Sequence, residues 1–349
     1  MKTTMKRFAS VILAISMIIV FSSSVIVGAV EDLAAADTTE YYIEYDYVNQ
    51  TYKRIPIDSI PDYAEMTTNT YELSGMASEL PRLLAINEVL TADTGISTFS
   101  NIDDDGYTYT PTTTDPYSGV VLVMTKVDGE WYRGTGFMVA PDVMVTAGHN
   151  IVKYENGNFK SVEIRVYPYY DIVATNPVDT NSDYILPLMW TCYDYSDAVI
   201  EANGYSNNPA VIQNDWCVIQ LQESISEAYN FACEMGVSTS IFTTYCVSGY
   251  PYCIVAGRNN NACGHTRAFF QCTTEGKIRK MDDYLVYYTN NMRPGMSGGP
   301  VYKKSNYVCY AINTRENLNV VFGEEYAGYN AGTIINSNIY NAIAYYIER

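Results

Sequence analysis

Gly119-Val-Val-Leu-Val-Met-Thr-Lys-Val-Asp128-Gly129-Glu-Trp-Tyr-Arg-Gly-Thr-Gly-Phe-Met-Val-Ala-Pro-Asp-Val-Met-Val-Thr-Ala-Gly-His149 reads as three apolar runs broken by turns. The first run, 119–124, is rich in β-branched residues and carries no charge. Asp128-Gly129 is a dipeptide favoured in two-residue hairpin turns, where both central positions need positive φ. Residues 131–139 answer the first run across that turn, and 143–146 form a third run. Strands of this length, joined by tight turns, predict an antiparallel sheet.

The same pattern continues on both sides. Residues 162–166, 216–221, 243–248, 277–280, 284–288, 300–302 and 307–312 are further short β-like runs. Many short strands with turn signals make an all-β sandwich or barrel. Only the end differs: residues 338–347 space their apolar side chains as a helix face, with Asn336 or Ser337 as cap. No internal repeat and no low-complexity tract is visible.

The chain has 349 residues, 39 acidic and 21 basic side chains, and a formal charge of −18. Such an acid excess excludes nucleic acid as a partner, because phosphates need a basic footprint. It also excludes a polybasic grip on anionic lipid. Lys2, Lys6 and Arg7 precede an uncharged apolar run, 8–28, that ends in small residues. This is the pattern of an export signal, residues 1–29, cut after Ala29 or after Ala36. A run of that length is also long enough for an uncleaved membrane anchor. The serines that dilute it and its cleavage-like end favour the signal, and with it a secreted protein without stable membrane association.

Residues 30–101 hold 13 acids, three bases and no cysteine. A tyrosine-rich alternating piece, 41–48, predicts a strand, and 79–90 predict a short amphipathic helix. All eight cysteines, Cys192, Cys217, Cys233, Cys246, Cys253, Cys263, Cys272 and Cys309, lie in the second half. An even number in an exported chain predicts disulfides, with connectivity left open. Cys217 lies within an apolar strand, where a buried thiol is the other reading. The spacings repeat no CxxC pattern, so no metal site is expected. No cofactor motif is visible.

The segment Asn291-Met-Arg-Pro-Gly-Met-Ser-Gly-Gly-Pro-Val-Tyr302 places Ser297 among glycines, just before a strand. Glycine admits demanding backbone angles and exposes N–H groups. The amides of Gly295 and Ser297 are therefore candidates for an oxyanion hole. A serine needs a base to take its proton. His149 ends an apolar strand behind small residues and is the first candidate. His265 lies in a polar insertion and ranks below it. A carboxylate must orient the base. Asp215 stands at the mouth of the 216–221 strand, where a plain strand-start cap is the rival role. The chain order is His149, Asp215, Ser297.

Thr146-Ala147-Gly148-His149, the Asp215 strand and Gly295-Met296-Ser297-Gly298-Gly299-Pro300 resemble the chymotrypsin-like serine peptidases, most closely their bacterial glutamyl-endopeptidase branch. Residues 102–106, 112–118, 248–251 and 329–334 resemble further stretches of that branch, so the likeness spans 102–349. The resemblance implies two six-stranded antiparallel β-barrels with a C-terminal helix, preceded by the signal peptide and a pro-segment, 30–101. It implies Ser297 as nucleophile, His149 as base, Asp215 as orienting carboxylate, and Gly295 and Ser297 as oxyanion donors. The expected function is a secreted serine endopeptidase made as a zymogen, acting on protein or peptide substrates, with an activating protease as a further partner. The alternative is a catalytically silent binding or adhesion protein on the same scaffold, its 34 tyrosines forming the recognition surface.

Met292, Asn313 and Thr314 fall where the resemblance places the substrate pocket, and Thr314 also near the buried aspartate. Glutamate-selective relatives place a histidine where this chain has Asn313, and Ser or Thr where it has Met292. Arg293 and Arg315 are the cations close by in sequence. The stretch 167–213 is long for the family and is expected to hold an inserted loop containing Cys192.

Overall fold

The computed structural model describes residues 40–65, 107–155, 158–160, 162–171, 178, 182–194, 213–237, 240–251, 270–315 and 329–349. Residues 41–349 form one compact unit. The signal segment, the 79–90 helix, His265, Cys253 and Cys263 lie outside the described residues.

In chain order the elements are β1 (Tyr41–Asp46), β2 (Thr51–Pro56), β3 (Thr108–Tyr109), β4 (Val120–Val127), β5 (Glu130–Ala140), β6 (Val143–Thr146) and the single helical turn α1 (Gly148–Ile151). Then come β7 (Lys153–Glu155), β8 (Asn158–Lys160), β9 (Glu163–Tyr167), β10 (Pro187–Tyr193) and β11 (Cys217–Leu221). The second half supplies β12 (Tyr245–Gly249), β13 (Cys272–Gly276), β14 (Ile278–Met281), β15 (Leu285–Tyr288), β16 (Pro300–Lys303), β17 (Cys309–Arg315), β18 (Asn330–Ile334) and α2 (Ser337–Ile347).

Two antiparallel sheets of eight strands result, rather than the expected six each. Their orders are β2-β1-β10-β11-β6-β5-β4-β9 and β14-β15-β18-β17-β16-β12-β13-β3. Each curls towards closure. In the second sheet only Lys277 separates β13 from β14, so one bent stretch of chain serves both ends. In the first, Val166 of β9 exchanges two backbone hydrogen bonds with Ile185, just ahead of β10. The two extra strands of the first sheet are β1 and β2. They come from the stretch expected to be a pro-segment. In the second sheet the short β3 is added beside β13.

The quoted stretch folds as its pattern predicts. β4 and β5 pair from Val120↔Phe137 to Val127↔Glu130. Asp128 and Gly129 both take positive φ, 53° and 88°. The period-two pleat splits β4 between two cores: Val121 and Val123 point into one, Val120, Leu122 and Met124 into the other. Both faces are buried, which is why the run is apolar without alternation. Asn336 caps α2, its side chain accepting from Ile339 N–H at 3.0 Å. Cys192 does not lie in an inserted loop; it is buried in β10. The six described cysteines are free thiols, all buried, so the expected disulfides are not found among them. Among the described residues no helix is long and apolar enough to cross a membrane.

Candidate active site

The three predicted residues come from three turns at strand ends. His149 sits in α1, directly after β6, and Asp215 sits two residues before β11, which pairs with β6. That pairing aligns Cys217 with Thr146 and so brings the aspartate under the histidine. Ser297 sits in the turn before β16 of the other sheet.

Asp215 is buried, and both its oxygens are spent on His149. Oδ2 lies 2.7 Å from ring Nδ1, and Oδ1 accepts the His149 backbone N–H at 2.7 Å. Burial alone would raise the Asp215 carboxyl; the adjacent imidazole, its hydrogen bonds and the Arg315 guanidinium more than offset it and hold the group below its ordinary value. The carboxylate thus stays ionised and fixes both the ring and its backbone. His149 and Ser297 line one cavity of about 240 Å³, together with Arg133, Gly134, Asn150, Pro294 and Gly295. The Arg133 guanidinium is anchored through Nη1 to Pro251 O at 2.7 Å.

The nucleophile turn is held from both sheets. Gly295 and Gly298 take φ of 96° and 89°, which L side chains avoid. A Cβ on Gly298 would stand 2.1 Å from Thr135 O. Thr135 of β5 donates its N–H to Ser297 O at 2.8 Å and its hydroxyl to Gly295 O at 2.7 Å. Asn150 donates one amide hydrogen to Ser297 O at 2.8 Å and the other to Thr146 Oγ1 at 3.0 Å. From the other sheet, Asn313 accepts the Gly298 N–H at 2.7 Å and donates its own N–H to Gly299 O at 2.9 Å. The flanking amides of the turn are spent: Met296 N–H goes to Arg293 O and Gly299 N–H to Met296 O. Among the described residues, the N–H groups of Gly295 and Ser297 donate no backbone hydrogen bond.

Met292, Asn313 and Thr314 are the residues expected at the substrate pocket. None of Met292, Asn313 and Thr314 is among the residues lining this cavity. The Asn313 side chain is buried; Nδ2 donates to Met296 O at 2.8 Å, and Oδ1 accepts from the Tyr288 hydroxyl. That hydroxyl lies 3.5 Å from the Met292 sulfur. Asn313 therefore braces the turn. The Thr314 hydroxyl is buried with no hydrogen-bond partner among the described residues, so no bond joins it to Asp215. Arg293 lies over the Tyr107 ring at 5.4 Å. Thr135 and Asn150 escaped sequence reading. Nothing but the small residues around Thr135 and the adjacency of Asn150 to His149 marks them.

Two curled antiparallel sheets with a carboxylate–imidazole pair at one sheet's strand ends and a serine turn at the other's define the chymotrypsin-like class. Residues 134–309 match the family described as "Trypsin-like peptidase domain", and the chain belongs to that family. Two curated relatives are each 25% identical to it: "Glutamyl endopeptidase" of Bacillus licheniformis over 257 residues and "Extracellular metalloprotease" of Bacillus subtilis over 255. Each alignment covers 68% of this chain and 66% of the relative, so the chain spans just under two thirds of their length. A solved structure, "Structure of Glu endopeptidase in complex with MPD", superposes with a TM-score of 0.51 at 20% identity. It covers 70% of this chain and 98% of that one, and supports the fold.

Proposed function

We propose that this protein is an exported serine endopeptidase that cleaves peptide bonds through an acyl-enzyme. The observation that carries this is the double grip of buried Asp215 on His149, with His149 and Ser297 lining one cavity. Ser297 Oγ attacks the scissile carbonyl while His149 takes its proton. The Gly295 and Ser297 N–H groups receive the developing oxyanion, and Asp215 stabilises the imidazolium. His149 then protonates the leaving amine, and water repeats the sequence in reverse to release the acid product. Glutamate selectivity is not carried over from the relatives, because Asn313 is neutral and its amide is engaged by Met296 and Tyr288.

The name of the second relative implies a metal. Among the described residues no three His, Cys, Asp or Glu side chains group to hold one, and both Asp215 oxygens face His149. No step is therefore routed through a metal. Export on residues 1–29 and activation by a cut near Asn101–Ile102 belong to the same proposal; the first rests on the sequence pattern, the second on the family resemblance and the composition shift after residue 101. Many of the tyrosines invoked by the silent-binding alternative, Tyr42, Tyr167, Tyr245, Tyr250, Tyr288, Tyr302 and Tyr346 among them, are core residues, although Tyr52, Tyr132, Tyr184, Tyr284 and Tyr307 are exposed.

Substitution of Ser297 by alanine tests the proposal. Peptide turnover should fall to the residual ~10³–10⁴-fold over water left by binding and oxyanion donors alone. Labelling by an organophosphonate probe should vanish with it. Undiminished hydrolysis by the variant would remove Ser297 from the mechanism.

A further inference from the structure

We propose that residues 41–64 are a permanent component of the folded protease. In this view the first barrel and α2 carry an interaction surface whose partner is this chain's own N-terminal segment. A chain cut between 66 and 106 would then stay together as a noncovalent two-piece protein. The proposal stands on packing, independently of the catalytic assignment.

β1 is not laid on the outside of a finished barrel. It pairs with β10 from Tyr42↔Tyr193 to Asp46↔Met189, while β10 pairs on its other side with β11. The ladder is extended at both ends by Asp194 N–H to Tyr41 O at 2.8 Å and Tyr47 N–H to Leu188 O at 3.0 Å. Without β1, β10 would be an edge strand with open backbone groups.

Both faces of β1 are buried, each in a different core. Ile43 and Tyr45 pack inside the first barrel, and Tyr45 stacks on Trp190 with ring centroids 5.0 Å apart. Tyr42 faces the other way and meets Trp216 edge-on at 5.6 Å. Trp216 directly follows Asp215, so the segment backs the residue that orients His149. The Tyr42 hydroxyl donates to Asn338 O at 2.9 Å in α2.

Polar contacts tie the segment to the far end of the chain. Buried Glu44 takes Lys53 at 2.7 Å from β2 and Arg349 at 2.9 Å from the C-terminus. Arg54 pairs with Asp194 at 2.7 Å. Ala64 N–H donates to Asn341 Oδ1 at 2.9 Å, and Ile60 and Ala64 are buried in the core that contains α2. A segment built only to be shed would leave behind two uncovered tryptophans, an open strand edge and an unpaired Arg349.

The full chain, with a recognition site for a sequence-specific protease inserted between 66 and 106, provides the test. After cutting, the N-terminal piece should co-elute with the remainder in native gel filtration at a one-to-one ratio and separate only on denaturation. Tyr42→Ala in the cut chain should release the piece at least tenfold faster, whereas Tyr42→Phe, which keeps the ring, should hold it. Release of the piece from a remainder that keeps its fold by circular dichroism would overturn the proposal. So would an active species, isolated from the uncut full chain after export, that lacks residues 41–64. Phosphonate labelling of the cut complex reads the catalytic assignment separately. A complex that holds together yet never labels refutes the peptidase reading and leaves the retained segment standing.

Discussion

At the scale of single residues, the site depends on groups with no chemistry of their own to perform. Asn313 stands where relatives sensitive to acidic substrates are expected to carry a histidine, and here it works as a clamp. Its amide bridges Met296 O and the Tyr288 hydroxyl inside a closed core. Leucine at this position would remove one of the two hydrogen bonds to Met296 O, which keeps the Gly299 N–H, and would leave the buried Tyr288 hydroxyl only the Met292 sulfur at 3.5 Å. Losing a buried hydrogen bond costs about 1 kcal/mol, so Asn313→Leu should lower stability by at least ~1 kcal/mol and slow phosphonate labelling. Denaturant melts and labelling rates measure the two effects. If Asn313 were instead a pocket residue, its replacement would change the preferred substrate and leave stability alone. The candidate triad was legible because each member follows or precedes an apolar run, and His149 and Ser297 keep unusually small neighbours. Thr135 and Asn150 were not, because a hydrogen bond to Gly295 O or Ser297 O leaves no pattern in the local sequence.

At the scale of elements, strand pairing decides which turns meet. β6 and β11 are neighbours, and that alone sets His149 over Asp215. β5 is the strand that hands the first sheet to the nucleophile turn of the second. Thr135 makes three links there: its N–H to Ser297 O, its hydroxyl to Gly295 O, and its oxygen as acceptor for Tyr250 N–H at 3.0 Å. Thr135→Val keeps the shape and the backbone bond but removes both side-chain links. The expected result is a loss of about 1–3 kcal/mol in a denaturant melt. The same variant should show a lower kcat with KM little changed, because the turn that carries the nucleophile loosens while the cavity walls stay. An unchanged kcat would mean that β5 does not position the turn. Strand existence was readable from periodicity and turn dipeptides. Strand neighbours were not, since β1 lies beside β10 across more than a hundred residues and no local signal records that pairing.

At the scale of the molecule, charge and pH act on one buried pair. Asp215 is held below its ordinary value in the fold, so it binds a proton more readily once unfolded. Its contribution to stability is complete above the unfolded value of about 3.9 and is lost as pH falls through the lower folded value. The melting temperature should therefore drop below about pH 4, and Asp215→Asn should flatten that drop. The sequence by itself determined the all-β class and the terminal helix, which follow from side-chain period and turn chemistry, both of them local. It also nominated His149, Asp215 and Ser297, through residue type, chain order and the family resemblance. Only the tertiary structure decided that residues 41–56 complete the first sheet and that six cysteines stay free and buried. It alone showed, too, that Asn313 is hydrogen-bonded to the nucleophile turn through Met296 O, Gly298 N–H and Gly299 O. Those outcomes depend on which distant strands pair and which faces they bury, and contact between residues far apart in the chain is a property of the fold.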